Sequence, residues 1–322
     1  MNNFKPLYVV EEWSARCYAG CVGCFRGFVQ GPFNGDMDRN TFENANRGIP
    51  EGTMILPQFH GDSMNHKDFE YFIHRMKDLK LRVSIPVAGF VGKKYIPLLV
   101  ERDTPCYVYI VSMDGFCEHS YSMRRGKIPL KNAEDFVHEA LRLRENRKVP
   151  WIAVRWVENS QSEFEFQQFV EHWLYDVGVD FVLRSRYFEY GSKFNSPVSL
   201  ALPQKCHSLI EGNPVVLFNG DVLLCERTTD RSKYVIGNVD RDDWPTIMSR
   251  RDELTAGYPN NDPCKLCSAA YVLAGMKGIM QFRHGDDRPV YVHSDHSQTF
   301  FSLDKHWAGI NWELKEIEDG NS

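Results

Sequence analysis

The sequence lacks any apolar run long enough for a bilayer; no stretch approaches the ~18 to 20 consecutive apolar residues that a membrane span needs. Its start, MNNFKPLYVVEEW, carries acidic residues where the apolar core of a secretion signal would run, so the chain reads as cytoplasmic. An excess of positive charge is missing too. Lys+Arg of 38 against Asp+Glu of 43 gives a net charge of −5, so no broad basic face is available to grip phosphate backbones, and nucleic acid is disfavoured as a partner. Internal repeats and low-complexity segments are also absent. A chain of 322 residues, 43% hydrophobic and 25% charged, has the composition of a packed globular protein with one large domain or one large plus one small.

Cysteine is what the sequence has in quantity. Nine cysteines without an export signal argue against a disulfide framework, because cytosolic thiols are kept reduced, and towards metal ligation or redox chemistry. Cys17, Cys21 and Cys24 crowd the N-terminus. Cys206, Cys225, Cys264 and Cys267 occupy the last part, while Cys106 and Cys117 stand apart.

Between these groups the hydrophobic pattern alternates. LYVVEE, TMILPQF, LRVSIPVAG, CYVYIVSMDG, WIAVRWVEN and VDFVLRSRY read as strands. Helical patterns lie between them at TFENANRG, about 67–80, KKYIPLLVE, about 132–146 and about 162–175. Such alternation implies right-handed crossovers and a parallel sheet, either doubly wound or a partial barrel. After Ser192 the pattern changes. VVLFNGDVLLC is a hairpin around Asn219-Gly220, a short helix is expected over Trp244 to Arg250, and AAYVLAGMKGIMQF reads as a helix in the tail.

The spacing C-x3-C-x2-C presents three thiolates from one loop. They suit three irons of a 4Fe-4S cube and leave the fourth iron without a protein ligand; the alternative is a zinc knuckle lacking its fourth ligand, or structural thiols. In position after the first strand, this triplet resembles that of the radical S-adenosylmethionine (AdoMet) superfamily. The resemblance implies a partial (β/α)6 barrel in which the open iron binds the amino and carboxylate groups of AdoMet, and the reduced cluster cleaves it to a 5'-deoxyadenosyl radical that abstracts a substrate hydrogen.

Further positions fit the resemblance in order. Phe59-His60-Gly61-Asp62-Ser63 stands where the family has a Gly-Gly-Glu-Pro turn, so Gly61 and Asp62 would hold the AdoMet ammonium. This chain departs from the pattern at His60, Asp62 and Ser63. Ser112-Met113-Asp114-Gly115 with the later Met-Arg-Arg-Gly looks like the family's strand-four signature, placing Ser112 near the AdoMet ribose or carboxylate, and Arg155 and Asn159 are further candidates. Gly23 occupies a position that is often aromatic, which leaves Tyr18 or Phe25 to flank adenine.

The four later cysteines suffice for every iron of a second 4Fe-4S cluster, or for one structural zinc. Their setting, NGDVLLC followed by DPCKLC, resembles the twitch form of the SPASM auxiliary-cluster domain, as in the aminocyclitol-oxidising dehydrogenases of the superfamily. The implied organisation is a radical AdoMet barrel over residues 1–195, a twitch-type iron-sulfur domain over 196–270 and a C-terminal extension over 271–322. The implied cofactors are two 4Fe-4S clusters and AdoMet, with a flavodoxin or ferredoxin as reducing partner and a polar small molecule as substrate. Two-electron oxidation is the leading outcome. Epimerisation, peptide or nucleotide modification, and a non-catalytic zinc protein are the alternatives. Arg184 and Arg186 on the last barrel strand are candidates to orient or deprotonate an alcohol, and Cys117, just beyond the fourth strand, is a candidate hydrogen donor. Cys106 should lie in the core at the strand's far end. His293, His296 and His306 in the tail read as structural or substrate-contacting residues, and the aromatics Phe300, Phe301, Trp307 and Trp312 as residues that cover the barrel or plug its bottom.

Overall fold

Short β-branched and aromatic runs build the frame: β1 (Tyr8–Glu11), β2 (Met54–Leu56), β3 (Arg82–Val87), β4 (Cys106–Ser112), β5 (Trp151–Val157) and β6 (Phe181–Ser185). They belong to a computed structural model that describes residues 6, 8–22, 24, 26, 34–126, 128–147, 149–157, 163–185, 214–226, 231–258, 278–283, 289–294 and 314–315. Each strand pairs in parallel with the next in sequence. That sequential order decides between the two parallel architectures. A doubly wound sheet reverses its order part-way, whereas right-handed crossovers between neighbours put every helix on one side and curl the sheet into a partial barrel.

Strand alternation separates two cores accordingly. Val9, Ile55, Val83, Ile85, Tyr109, Val111, Ile152 and Val154 face the helices. Tyr8, Val10, Met54, Leu56, Val108, Ile110, Ala153, Phe181 and Leu183 form the second, concave cluster, completed by Val215, Leu217 and Leu223 from beyond β6. The helices are α1 (Arg39–Asn46), α2 (Phe69–Asp78), α3 (Ile96–Val100), α4 (Glu118–Arg125), α5 (Leu130–Arg144) and α6 (Phe166–Glu171), which runs on as a π-helical segment, His172–Val177. Asp38 caps α1 through a 2.8 Å hydrogen bond from the Thr41 amide. Trp13 seals β1 against these helices, its ring meeting Phe42, Phe69 and Phe72 edge-on.

The Asn219-Gly220 hairpin forms as expected, with β7 (Val215–Val216) antiparallel to β8 (Asp221–Leu223), and β9 (Val235–Asn238) follows. Gly220, at φ 81°, takes the left-handed turn position. What the sequence does not announce is that β7 continues the barrel sheet, pairing in parallel with β1. The helix expected at Trp244 extends to Thr255 (α7), and its Trp244 indole donates to the Ala45 carbonyl at the end of α1, 3.1 Å away.

One expectation is overturned. The GIMQF end of the tail's expected helix is strand β10 (Gly278–Arg283), which pairs antiparallel with β6 and with β11 (Pro289–Ser294). An unpaired β6 edge offers a full row of backbone donors and acceptors, and that tertiary partner outweighs the local helical pattern. β12 (Leu314–Lys315) ends the sheet, and His293 lies in β11; His296, His306 and the tail aromatics fall outside the described residues.

Candidate active site

The cysteine loop leaves β1 at the carboxyl ends of the parallel strands, where barrel sites assemble. Backbone contacts pin it on three sides. The Ala15 amide donates to the Gly35 carbonyl (2.8 Å), the Asp62 amide donates to the Arg16 carbonyl (2.9 Å), and the Val22 amide donates to the Arg124 carbonyl at the end of α4 (2.8 Å). Two glycines permit this packing. A methyl on Gly61 would drive into the Ser14 carbonyl, and one on Gly126 would lie 3.0 Å from the Gly20 carbonyl oxygen. The Gly61-Asp62 turn and the cysteine loop are therefore in direct contact, as the expected shared site requires.

Cys17, Cys21 and Cys24 are all half-buried. Burial pushes the Cys17 thiol up to about 11, with Asp62, Cys21 and Cys24 adding to the rise, and burial likewise raises Cys24. The three sulfurs thus lie within electrostatic reach of one another, and ligation must displace their protons. Arg125, 7% exposed, reaches into the group: Nη1 donates to Cys21 Sγ at 3.5 Å, and Nη2 pairs with Asp114 Oδ2 at 2.6 Å.

Asp62 is only 5% exposed; its Oδ1 accepts from the Met64 amide (3.0 Å) and its Oδ2 from the Ala88 amide (3.4 Å). Burial raises its carboxyl to about 6, the two amides opposing the rise. Ser63 donates to the Pro57 carbonyl. His60, before Gly61, places Nδ1 2.9 Å from Glu12 Oε1, and Arg231 donates to Glu12 Oε2 at 2.6 Å. Burial lowers the His60 pKa, so the ring tends to be neutral, with Glu12 opposing.

Across the mouth, Ser112 of β4 stands in register with Arg155 of β5, both in the alternation of the concave cluster. The Arg155 carbonyl accepts from the Met113 and Asp114 amides at 2.9 and 3.3 Å. Asp114, at φ 60°, turns its Oδ1 to the Val157 amide, 2.9 Å away. Tyr18 is 70% exposed on the loop. Cys117 is the exposed N-cap of α4, with Sγ 3.6 Å from Glu165 Oε1 and 3.5 Å from Ser120 Oγ. Arg184 lies in β6 in register with Trp156. Cys106 is buried at the start of β4, as expected. Cys225 is half-buried just past β8, whereas Phe25, Asn159, Arg186, Cys206, Cys264 and Cys267 lie outside the described residues.

The surroundings of the triplet fit an iron-sulfur cluster. Three thiolates on one loop are a soft donor set. Arg16 Nε, Arg125 Nε and Tyr121 Oη are buried polar atoms without a hydrogen-bond partner among the described residues, and they lie on the loop or on α4 beside it. A sulfide-rich group would accept from such donors. Among the described residues no three His, Cys, Asp or Glu side chains converge on one ion position; in a cube each thiolate goes to its own iron. Sequence reading did not single out Arg125, Glu12 or Tyr121. Only the Met-Arg-Arg-Gly string hinted at the first.

No family model matches the sequence, and no curated protein matches it. Solved structures do. The chain is similar to anSMEcpe with bound AdoMet and Cp18Cys peptide, at TM-score 0.60 and 13% identity over 81% of this chain and 85% of that one. Similarity to Streptococcus suis SuiB bound to precursor peptide SuiA is at TM-score 0.60 and 13% identity, covering 83% and 71%. BtrN in complex with AdoMet and 2-DOIA gives TM-score 0.50 and 16% identity, covering 83% and 94%. These are radical AdoMet enzymes, and at such identities the likeness establishes a shared fold, the partial barrel with its sequential parallel strands.

Proposed function

We propose that this chain is an AdoMet-dependent radical enzyme that oxidises a polar substrate by two electrons. One observation carries the reading: the C-x3-C-x2-C loop is held at the barrel mouth between the Gly61-Asp62 turn and Arg125. Cys17, Cys21 and Cys24 would each give a thiolate to one iron, and Cys206, Cys225, Cys264 and Cys267 would ligate a second 4Fe-4S cluster. When bound, reduced cluster and AdoMet together supply a 5'-deoxyadenosyl radical able to take a hydrogen atom from an unactivated C–H bond.

The chain's own residues bind, orient and exclude water. Each Asp62 oxygen accepts one backbone amide and keeps a lone pair for the AdoMet ammonium, beside the Gly61 carbonyl. Ser112 and Arg155, adjacent on the concave face, would take the ribose and carboxylate with Asn159. Tyr18 or Phe25 would cover adenine. Arg184, Arg186 and Cys117 are the candidates for handling substrate, and a flavodoxin or ferredoxin is the proposed electron source. Among the described residues no helix is long and apolar enough to cross a membrane.

A polar small molecule is favoured as substrate because BtrN, spanned to 94%, holds 2-DOIA. A peptide is the second reading, since anSMEcpe and SuiB were both solved with one. The test is anaerobic reconstitution with iron and sulfide, then AdoMet and a chemical reductant. We expect two clusters per chain and release of 5'-deoxyadenosine, with one cluster and no cleavage after replacing Cys17, Cys21 and Cys24 by Ala. Zinc in place of iron, or an iron-loaded protein that never cleaves AdoMet, would overturn the proposal.

A further inference from the structure

The last turn of α4 delivers a side chain that AdoMet binding leaves without a task. Arg125 is buried, and a buried cation is costly unless paired. Asp114 supplies the pairing at 2.6 Å, and its carboxylate is itself fixed by the Val157 amide at 2.9 Å. The guanidinium has its carboxylate partner on one Nη and the Cys21 sulfur on the other, 3.5 Å away. The ion pair is therefore a fixed dipole with its positive end against Cys21. Arg125 Nε, buried and without a hydrogen-bond partner among the described residues, leaves a further donor available beside the sulfur.

We infer that Arg125, aligned by Asp114, is the positioning cation that raises the reduction potential of the cluster held by Cys17, Cys21 and Cys24; this rests on the radical-enzyme reading. Reduction adds one negative charge to the cluster. A guanidinium against one thiolate stabilises that added charge, strongly so where water is excluded. Asp114 opposes the effect from farther off, so the pair acts as a dipole and each member has its own sign. Removing the carboxylate's charge while keeping its shape makes the cluster easier to reduce. Removing the guanidinium as well makes it harder.

The test uses the full chain, anaerobically reconstituted, in potentiometric titrations read by the EPR signal that shifts on adding AdoMet, which assigns it to the open cluster. Asp114→Asn should increase the reduced-to-oxidised ratio at a fixed poise several-fold over wild type. Adding Arg125→Gln to that variant should lower the ratio at least tenfold relative to Asp114→Asn alone, a 59 mV shift for a one-electron couple. Loosened packing would not move the potential in opposite directions. If the double variant fails to hold iron, the single Asp114→Asn shift decides. A ratio at or below wild type in Asp114→Asn, with clusters loaded, overturns the inference and leaves the radical reading standing. A wild-type protein that binds no iron-sulfur cluster overturns both.

Discussion

At the scale of single residues, chemistry is legible where it depends on spacing and hidden where it depends on rotation about a helix. The cysteine triplet is legible because three and two intervening residues already confine the thiols to one loop. Arg125 is not, since its contact with Cys21 follows from the turn at which α4 ends. Glu11 was equally hidden. It is the last residue of β1 and fully buried, accepting from Trp13 Nε1 at 2.7 Å with the Asn46 side chain beside it. Burial raises its carboxyl from 4.5 to about 7, the Trp13 and Asn46 hydrogen bonds opposing. The folded state therefore binds this proton more tightly than the unfolded chain, so the stability it confers is complete below pH 4.5 and is lost as pH rises through 7. Glu11→Gln, neutral at every pH, should be more stable than wild type at pH ~8 by up to about 3 kcal/mol, and near parity at pH ~5. Urea denaturation at the two pH values measures this, and an equal difference at both would refute the assignment.

At the scale of elements, periodicity displays the strands and amphipathic helices, and the elements it does not display are set by other forces. α4 (EHSYSMRR) buries only Ser120, Tyr121 and Arg125, so it offers little apolar rhythm. Its start is set by hydrogen bonds instead. Ser120 Oγ accepts from the Phe116 and Cys117 amides at 3.1 and 3.2 Å and donates to the Cys117 carbonyl at 3.1 Å. This reciprocal cap fixes the helix that carries Arg125 to the cysteine loop. Ser120→Ala should cost about 1 kcal/mol of stability by denaturant titration, the usual scale for a lost cap. Unchanged stability would mean that packing of Tyr121, not the cap, sets α4. β10 is hidden for the converse reason, its residues satisfying a helical pattern while the β6 edge offers a partner that the sequence does not display.

At the scale of the whole molecule, the parallel order of six strands was legible, but the joining of the later segments to both barrel edges was not. β7 covers β1 and β10 covers β6. The joint at β1 is also electrostatic. Glu12, fully buried past the end of β1, holds His60 from β2's turn, Arg231 from the β8–β9 connection and the Phe218 amide from the hairpin, the last at 3.4 Å. A lone carboxylate there would be strongly destabilising, and Arg231 compensates it at 2.6 Å. Together with Val216, Val222, Leu224, Ile236 and Trp244 in the helix-side core, this pairing packs residues 214–226 and 231–258 against the barrel. Arg231→Met should then cost about 3 to 5 kcal/mol, because it strands a buried charge, whereas Glu12→Gln with Arg231→Met should recover much of that loss. Unfolding of wild type should be a single transition seen alike by far-UV circular dichroism and tryptophan fluorescence. Two separated transitions, or a double variant no better than Arg231→Met, would show that the appended segment folds apart from the barrel and that Glu12 does not join them.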